Sequence, residues 1–416
     1  MKKCIAVLLA LFLLSGSVYG CADSAANENA NPGSRPQPNE TVSSEATNGT
    51  VKEEPSDAGR TDSGSLADAR RIQLTLSSGV AVDADVALPF AVDLSNLSTY
   101  EAKLKPQDFD KMVEILAPEK KITEKVTEFT AGSRLSDEYT YAVTEDGYSI
   151  MTDEEDLVFN GPLFNDKINS LFIPGGLDKN SDQYLTGKEL GFAAIAQAQA
   201  EMNRVLKGLG ISVGEPICYS LDYETLQSES IKWNEGITDE TAAFLGIEPV
   251  EILPEDECYL FYYQLTVDRM PVSVYQNGIS RDGSYTGGTS VTACYSKDGI
   301  FYFYMPYEFS DDLKKLDTQN GMDAEDALQL LDDKYNSVIM EGDYLVTGIE
   351  FEYVPQPVKD ETNLFTLVPA WRFTIVHTYE LAAKDDSGGT VPWTDTSAVV
   401  FHAVSGNELI TDLGGI

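Results

Sequence analysis

Histidine is almost missing: His377 and His402 are the only two in 416 residues. A Ser-His-Asp triad, a His-Glu-x-x-His zinc site or a histidine proton shuttle needs one of them in a matching context, and neither stands in one. Gly-x-Ser-x-Gly, a phosphate-binding Gly-rich loop and Gly-x-Gly-x-x-Gly do not occur either. Cations are scarce: 29 Lys and Arg against 68 Asp and Glu leave a formal charge of −39. Nucleic acid is excluded as a partner, because its phosphates need Lys and Arg. Cysteine stops at five, with no Cys-x-x-Cys. Cys218, Cys258 and Cys294 each precede a Tyr in a strand-like run, which predicts buried thiols in a core; one disulfide plus a free thiol is the alternative. The longest apolar run, Ile5 to Leu14, is short of the roughly 20 residues that a membrane-spanning helix needs.

That run sits between Lys2-Lys3 and the small residues Ser15-Gly16-Ser17, ahead of Val18-Tyr19-Gly20-Cys21, the order of an export signal ending in a lipobox. Residues 1–20 therefore read as a lipoprotein signal peptide and Cys21 as the lipidated residue. Each buried CH₂ of its diacylglyceryl group adds roughly 0.8 kcal/mol of membrane affinity. The expected location is the outer face of the cell membrane, in a Gram-positive bacterium. Residues 22–70 contain no Phe, Trp, Tyr, Ile or Met, so 21–70 read as a disordered tether.

Folded-protein composition begins near Arg71. Alternating apolar residues predict a hairpin through Ser78-Gly79 and a strand from Tyr100 to Leu104. A helix then opens at Pro106, and a second hairpin turns at Glu145-Asp146-Gly147. Thr186 and Glu189 form a Thr-x-x-Glu capping box for a helix that ends at Gly208 and Gly210. Strands follow near 217–221, 259–267, 291–295 and 301–305, with residues 227–257 as an insertion carrying a short helix near 241–244. A third helix starts at Asp323, before strands at 345–353, 364–376 and 398–403. Helix followed by strands thus occurs twice, with an echo of Thr289-Ser290-Val291 before Asp298-Gly299 and of Thr396-Ser397-Ala398 before Ser405-Gly406. The fold class expected is α+β: two or three units of helix packed on antiparallel sheet, divided at 71–176, 177–310 and 311–416.

The sharpest chemical spacing runs from Asp178 to Glu189. Asp178, Asn180, Asp182, the Tyr184 carbonyl, Thr186 and Glu189 stand at the oxygen-donor positions of a calcium loop, although Gln183 replaces the glycine at its sharp turn. Calcium is the one cofactor this spacing admits; an Asx-rich turn is the other reading. Acidic runs such as Asp153-Glu154-Glu155-Asp156 and Asp311-Asp312 read as solvated faces, while offering carboxylate pairs to a hydrolase.

Val368-Pro369-Ala370-Trp371-Arg372-Phe373, with Val400-Phe401-His402-Ala403-Val404-Ser405-Gly406-Asn407-Glu408, resembles the C-terminal module of YycI/YycH-type regulators of Firmicute sensor kinases, and the wider PepSY-like modules. With the lipobox and tether, the chain resembles uncharacterised Firmicute surface lipoproteins. The resemblance implies a non-enzymatic binding or regulatory module for an envelope protein or ligand. A calcium-dependent binding module and a carboxylate-based hydrolase are the alternatives. In the strand itself Pro369 is expected to break or edge the pairing, and Trp371 and Phe373 to cover a helix.

Overall fold

The computed structural model describes residues 70–89, 92–129, 135–172, 184–237, 249–274, 276–279, 285–287, 289–338, 340–359, 361–382 and 390–409. The signal peptide, Cys21, nearly all of the tether and the helix expected near 241–244 lie outside them. Strands β1 (Arg70–Thr75), β2 (Ala81–Ala87) and β3 (Leu97–Lys103) come first, followed by helix α1 (Phe109–Leu116). β4 (Ile122–Phe129), β5 (Glu138–Thr144), β6 (Ser149–Thr152) and β7 (Leu157–Asn160) form a meander. Next come β8 (Leu185–Thr186), α2 (Ile195–Leu209), β9 (Ile217–Leu221), α3 (Tyr223–Gly236) and β10 (Cys258–Gln264). Two small hairpins, β11 (Thr266–Val267) with β12 (Met270–Pro271) and β13 (Gln276–Ile279) with β14 (Tyr285–Gly287), precede β15 (Ser290–Ser296) and β16 (Gly299–Met305). β17 (Lys314–Gln319), α4 (Ala324–Asn336), β18 (Asp343–Pro357), β19 (Leu364–Ala382), β20 (Thr390–His402) and β21 (Glu408–Leu409) follow.

These strands build two large sheets, and the molecule is mostly β, with helices laid on sheet. The first runs β1-β2-β18-β19-β20-β21, with β3 and β17 attached beside β19; the second runs β4-β5-β6-β7-β16-β15-β10-β9-β8. Neither follows the divisions at 176 and 310, since β1 to β3 pair with C-terminal strands while β4 to β7 join the middle of the chain. Sequence order hides this because strand pairing over more than 200 residues leaves no local periodicity. In the first sheet, Ala324, Ala327, Leu328 and Leu331 of α4 pack on Trp371, Phe373 and Ile375. In the second, Ala198, Met202, Val205 and Leu206 of α2 pack on Tyr259, Phe261 and Phe303. The echoing turns both use a glycine with positive φ, Gly299 at 96° and Gly406 at 71°.

Several boundaries differ from expectation for identifiable reasons. α1 begins after Asp108, whose carboxylate accepts from Asp110 N and Lys111 N, and not at Pro106. α2 begins at Ile195, nine residues after Thr186, so the capping box does not form. Glu189 instead reaches across a turn to accept from Ile195 N at 2.7 Å. The supposed insertion opens within α3, capped by Asp222 accepting from Thr225 N at 2.8 Å. Pro369 neither breaks nor edges its strand: it pairs with Tyr353 inside β19. On the other side β3 pairs with 364–367 and β20 with 370–382. The Pro369 carbonyl accepts from Ala403 on that side. The missing proline N–H thus falls at the seam between two partner strands, where the ladder loses nothing.

Candidate functional site

The chain crosses between the sheets at residues 104–107 and returns at 306–313, and the two crossings lie antiparallel. Lys105 N donates to Glu308 O at 2.8 Å and Ser310 N to Lys103 O at 2.8 Å, so the buried crossover backbone is paired. A third connection leaves β10, forms the β11–β12 hairpin, and reaches the first sheet where Ser273 N donates to Tyr353 O at 2.7 Å. Between the hairpin and the returning crossing opens a cleft of about 410 Å³, within the size range of small-molecule sites. Leu265, Val267, Phe309 and Leu313 give it apolar walls; Ser212, Thr266, Asp268, Arg269, Glu308, Ser310 and Asp311 give it polar groups.

The hairpin tip at the cleft is strained. Asp268 and Arg269 form its two-residue turn with φ of 49° and 66°, a geometry usually filled by Asn-Gly. Each left-handed non-glycine residue costs of order 1–2 kcal/mol, somewhat less for Asp. Tyr100 on β3 holds the tip by donating its hydroxyl to Asp268 Oδ2 at 3.0 Å. Burial and the Asp268 carboxylate push that phenol above its usual range. Replacing Asp268-Arg269 by Asn-Gly is therefore expected to stabilise the protein by about 1 kcal/mol, read as a rise in denaturant midpoint; an unchanged or lowered midpoint would show that the native turn is relaxed.

Glu308 forms the opposite wall. Its buried carboxylate lies 2.9 Å from Lys105 Nζ. Burial raises its pKa, against the pull of Lys105 and Gln107, and Asp311 adds to the rise. Lys105 also donates to Gly210 O at 2.9 Å, as Lys111 does to Leu209 O at 3.1 Å, so both ammonium groups sit on the negative end of α2. Among the described residues, no ion pair or side-chain hydrogen bond engages Arg269 or the Asp311 carboxylate.

Of the calcium-loop residues, Asp178, Asn180 and Asp182 lie outside the described residues. Tyr184 is buried in a core beneath α3, with its ring edge-on to Tyr219. Thr186 is exposed on β8 opposite Tyr219. Glu189 caps α2, as described above. Both histidines have structural partners. His377 Nε2 bonds Glu341 O at 2.7 Å and its ring stacks on Tyr344, while His402 Nδ1 accepts from Val404 N at 3.1 Å. Cys258 and Cys294 are fully buried, and burial holds the Cys294 thiol well up, helped by its hydrogen bond with Cys258. Cys218 packs on the other face of the sheet, its thiol pushed up to about 12 by burial and then by Glu189. The run Asp153 to Asp156 is a folded turn and not simply a solvated face. Asp153 Oδ1 accepts from Glu155 N and Asp156 N, and burial followed by the Asp153 charge pushes Asp156 up to about 8.

The cleft itself was not visible in the sequence. Its charged residues come from two distant segments, 268–269 and 308–311, and none stands in a motif; Asp-Arg in place of Asn-Gly at a two-residue turn is the one local oddity. Comparison with known proteins adds a fold. No family model matches the chain, and no curated protein matches it. A crystal structure of an uncharacterized protein from Eubacterium rectale ATCC 33656 is similar with a TM-score of 0.63 at 16% identity, covering 82% of this chain and 93% of that one.

Proposed function

We propose that this chain is a lipoprotein held by Cys21 on the outer face of the cell membrane, and that it works as a non-enzymatic module binding an envelope ligand in the inter-sheet cleft. The observation that carries the binding site is the strained Asp268-Arg269 tip on a cleft of ligand size. Left-handed non-glycine residues persist where the surrounding structure enforces them, and they concentrate at functional sites. The cleft supplies hydroxyls, carboxylates and one guanidinium, groups that hold a polar ligand by charge and hydrogen bonds. The export signal and tether support the location, and the resemblance to YycI/YycH- and PepSY-like modules supports a binding role. Fragment screening by crystal soaking or protein-observed NMR tests the site. Hits are expected to concentrate at Thr266 to Arg269 and Glu308 to Leu313; hits confined to other surfaces would remove the cleft from the proposal. Cys21→Ser tests the anchor, with loss of labelled-lipid incorporation as the expected result.

A further inference from the structure

The charges around the cleft do not cancel internally, and the remainder has a definite pattern. Lys105 and Glu308 form an ion pair at 2.9 Å. Asp268 accepts from the Tyr100 hydroxyl at 3.0 Å, which holds the carboxylate in place and leaves its charge. Among the described residues, Arg269 and Asp311 have neither an ion pair nor a side-chain hydrogen bond, one on the hairpin tip and one on the returning crossover. They line the same cleft but form no ion pair, so their charged atoms are more than 4.0 Å apart. Opposite charges that line one cleft without pairing leave room for a molecule that carries the complementary pair.

We propose that the cleft takes a small zwitterion, an α-amino acid or short peptide, whose carboxylate meets Arg269 and whose ammonium meets Asp311. This rests on the reading of the cleft as the binding site. An arginine fork suits a carboxylate because its N–H groups match both oxygens. Asp311 lies close enough to Glu308 for their charges to interact, so an ammonium arriving there relieves carboxylate repulsion. The hydroxyls of Ser212, Thr266 and Ser310 are on hand for the remaining hydrogen bonds, and Leu265, Val267, Phe309 and Leu313 offer apolar surface to a side chain. Other ligand classes fit less well. A dianion would face Asp311 and the overall charge of −39, and a neutral sugar would leave Arg269 and Asp311 unmatched. A net-neutral zwitterion is not repelled by the acidic protein as a whole.

The test titrates the full chain by calorimetry with leucine, phenylalanine and Leu-Leu, and with two derivatives lacking one charge, N-acetyl-leucine and leucinamide. At least one zwitterion is expected to saturate, with each derivative of leucine about ten-fold weaker or more, the usual size of a lost charged hydrogen bond. Arg269→Gln should weaken leucine by a similar factor and abolish the preference for leucine over leucinamide. Asp311→Asn should abolish the preference for leucine over N-acetyl-leucine. Both side chains are exposed, so unchanged melting temperatures would show that the variants remain folded. A dipeptide tighter than either amino acid would identify peptides as the source of the ligand. The proposal is overturned if no zwitterion saturates, if the derivatives bind as well as leucine, or if neither variant changes the preference. Should fragments still occupy the cleft in any of those cases, the ligand class alone is wrong; should they avoid it, the site falls as well.

Discussion

Arg372→Met is expected to cost about 3–5 kcal/mol at pH 9, the usual price of leaving a buried charge without its partner, and Glu352→Gln in the same chain should restore most of it. Glu352 lies on β18 and is 1% exposed. Its Oε2 accepts from Gln264 Nε2 at 3.2 Å, and the Arg372 Nε lies 3.1 Å from its Oε1. The same guanidinium pairs with Glu350. Burial pushes the Glu352 carboxyl up to about 8, against the pull of Ser273 and Gln264. Removing the guanidinium takes away a cation 3.1 Å from this carboxylate, which is expected to move the carboxyl higher still.

A carboxyl whose native pKa lies above its unfolded value of 4.5 is easiest to bury below pH 4.5, where it is protonated in both states. Stability then falls as pH rises from 4.5 through the native pKa, because folding must keep a proton that the unfolded chain releases. The Arg372→Met variant should therefore lose least near pH 5 and most at pH 9. The Glu352→Gln, Arg372→Met double variant should show little of that slope. Urea midpoints across pH 5 to 9 measure both. A loss of equal size at every pH would mean that Arg372 matters through packing and not through Glu352.

The parts of the fold that were legible in the sequence are those fixed by neighbours along the chain. The β1–β2 and β5–β6 hairpins, the Asp323 cap of α4 and the glycine end of α2 each depend on a few consecutive residues. Trp371 and Phe373 were expected to cover a helix and do so. What was not legible depends on distant partners. Pro369 looks like a strand breaker until β3 and β20 are known to meet beside it. The Thr186-Glu189 pair looks like a helix start, yet Tyr259, 70 residues on, holds Ala193 O at 2.7 Å and receives Leu190 N at 2.6 Å, which keeps this stretch out of the helix. The cleft is of the same kind. Lys105, Asp268, Glu308 and Asp311 become neighbours only because three connections between the sheets run side by side, and each looks alone like one more charge on an acidic chain.

Trp371→Ala is expected to destabilise the protein by about 3–5 kcal/mol, the range for deleting a large buried aromatic. The indole is 1% exposed and lies edge-on to Phe351 with ring centres 4.8 Å apart. It belongs to the core under Ala327, Leu328 and Leu331 of α4. Its Nε1 donates to Met322 O at 3.0 Å, one residue before the Asp323 cap, so the ring fixes where α4 starts as well as what it covers. Two further variants separate these roles. Trp371→Phe keeps most of the apolar ring but leaves the Met322 carbonyl without the indole N–H, for a cost of about 1–3 kcal/mol. Trp393→Ala alters the same β19–β20 hairpin at its outer end, where the ring is 52% exposed opposite Tyr379, and should change stability by no more than about 0.5 kcal/mol. Denaturant midpoints give the order directly, with Trp371→Ala lowest, Trp371→Phe between and Trp393→Ala near the parent. A Trp393→Ala loss as large as that of Trp371→Ala would mean that the outer hairpin is buried against something in solution.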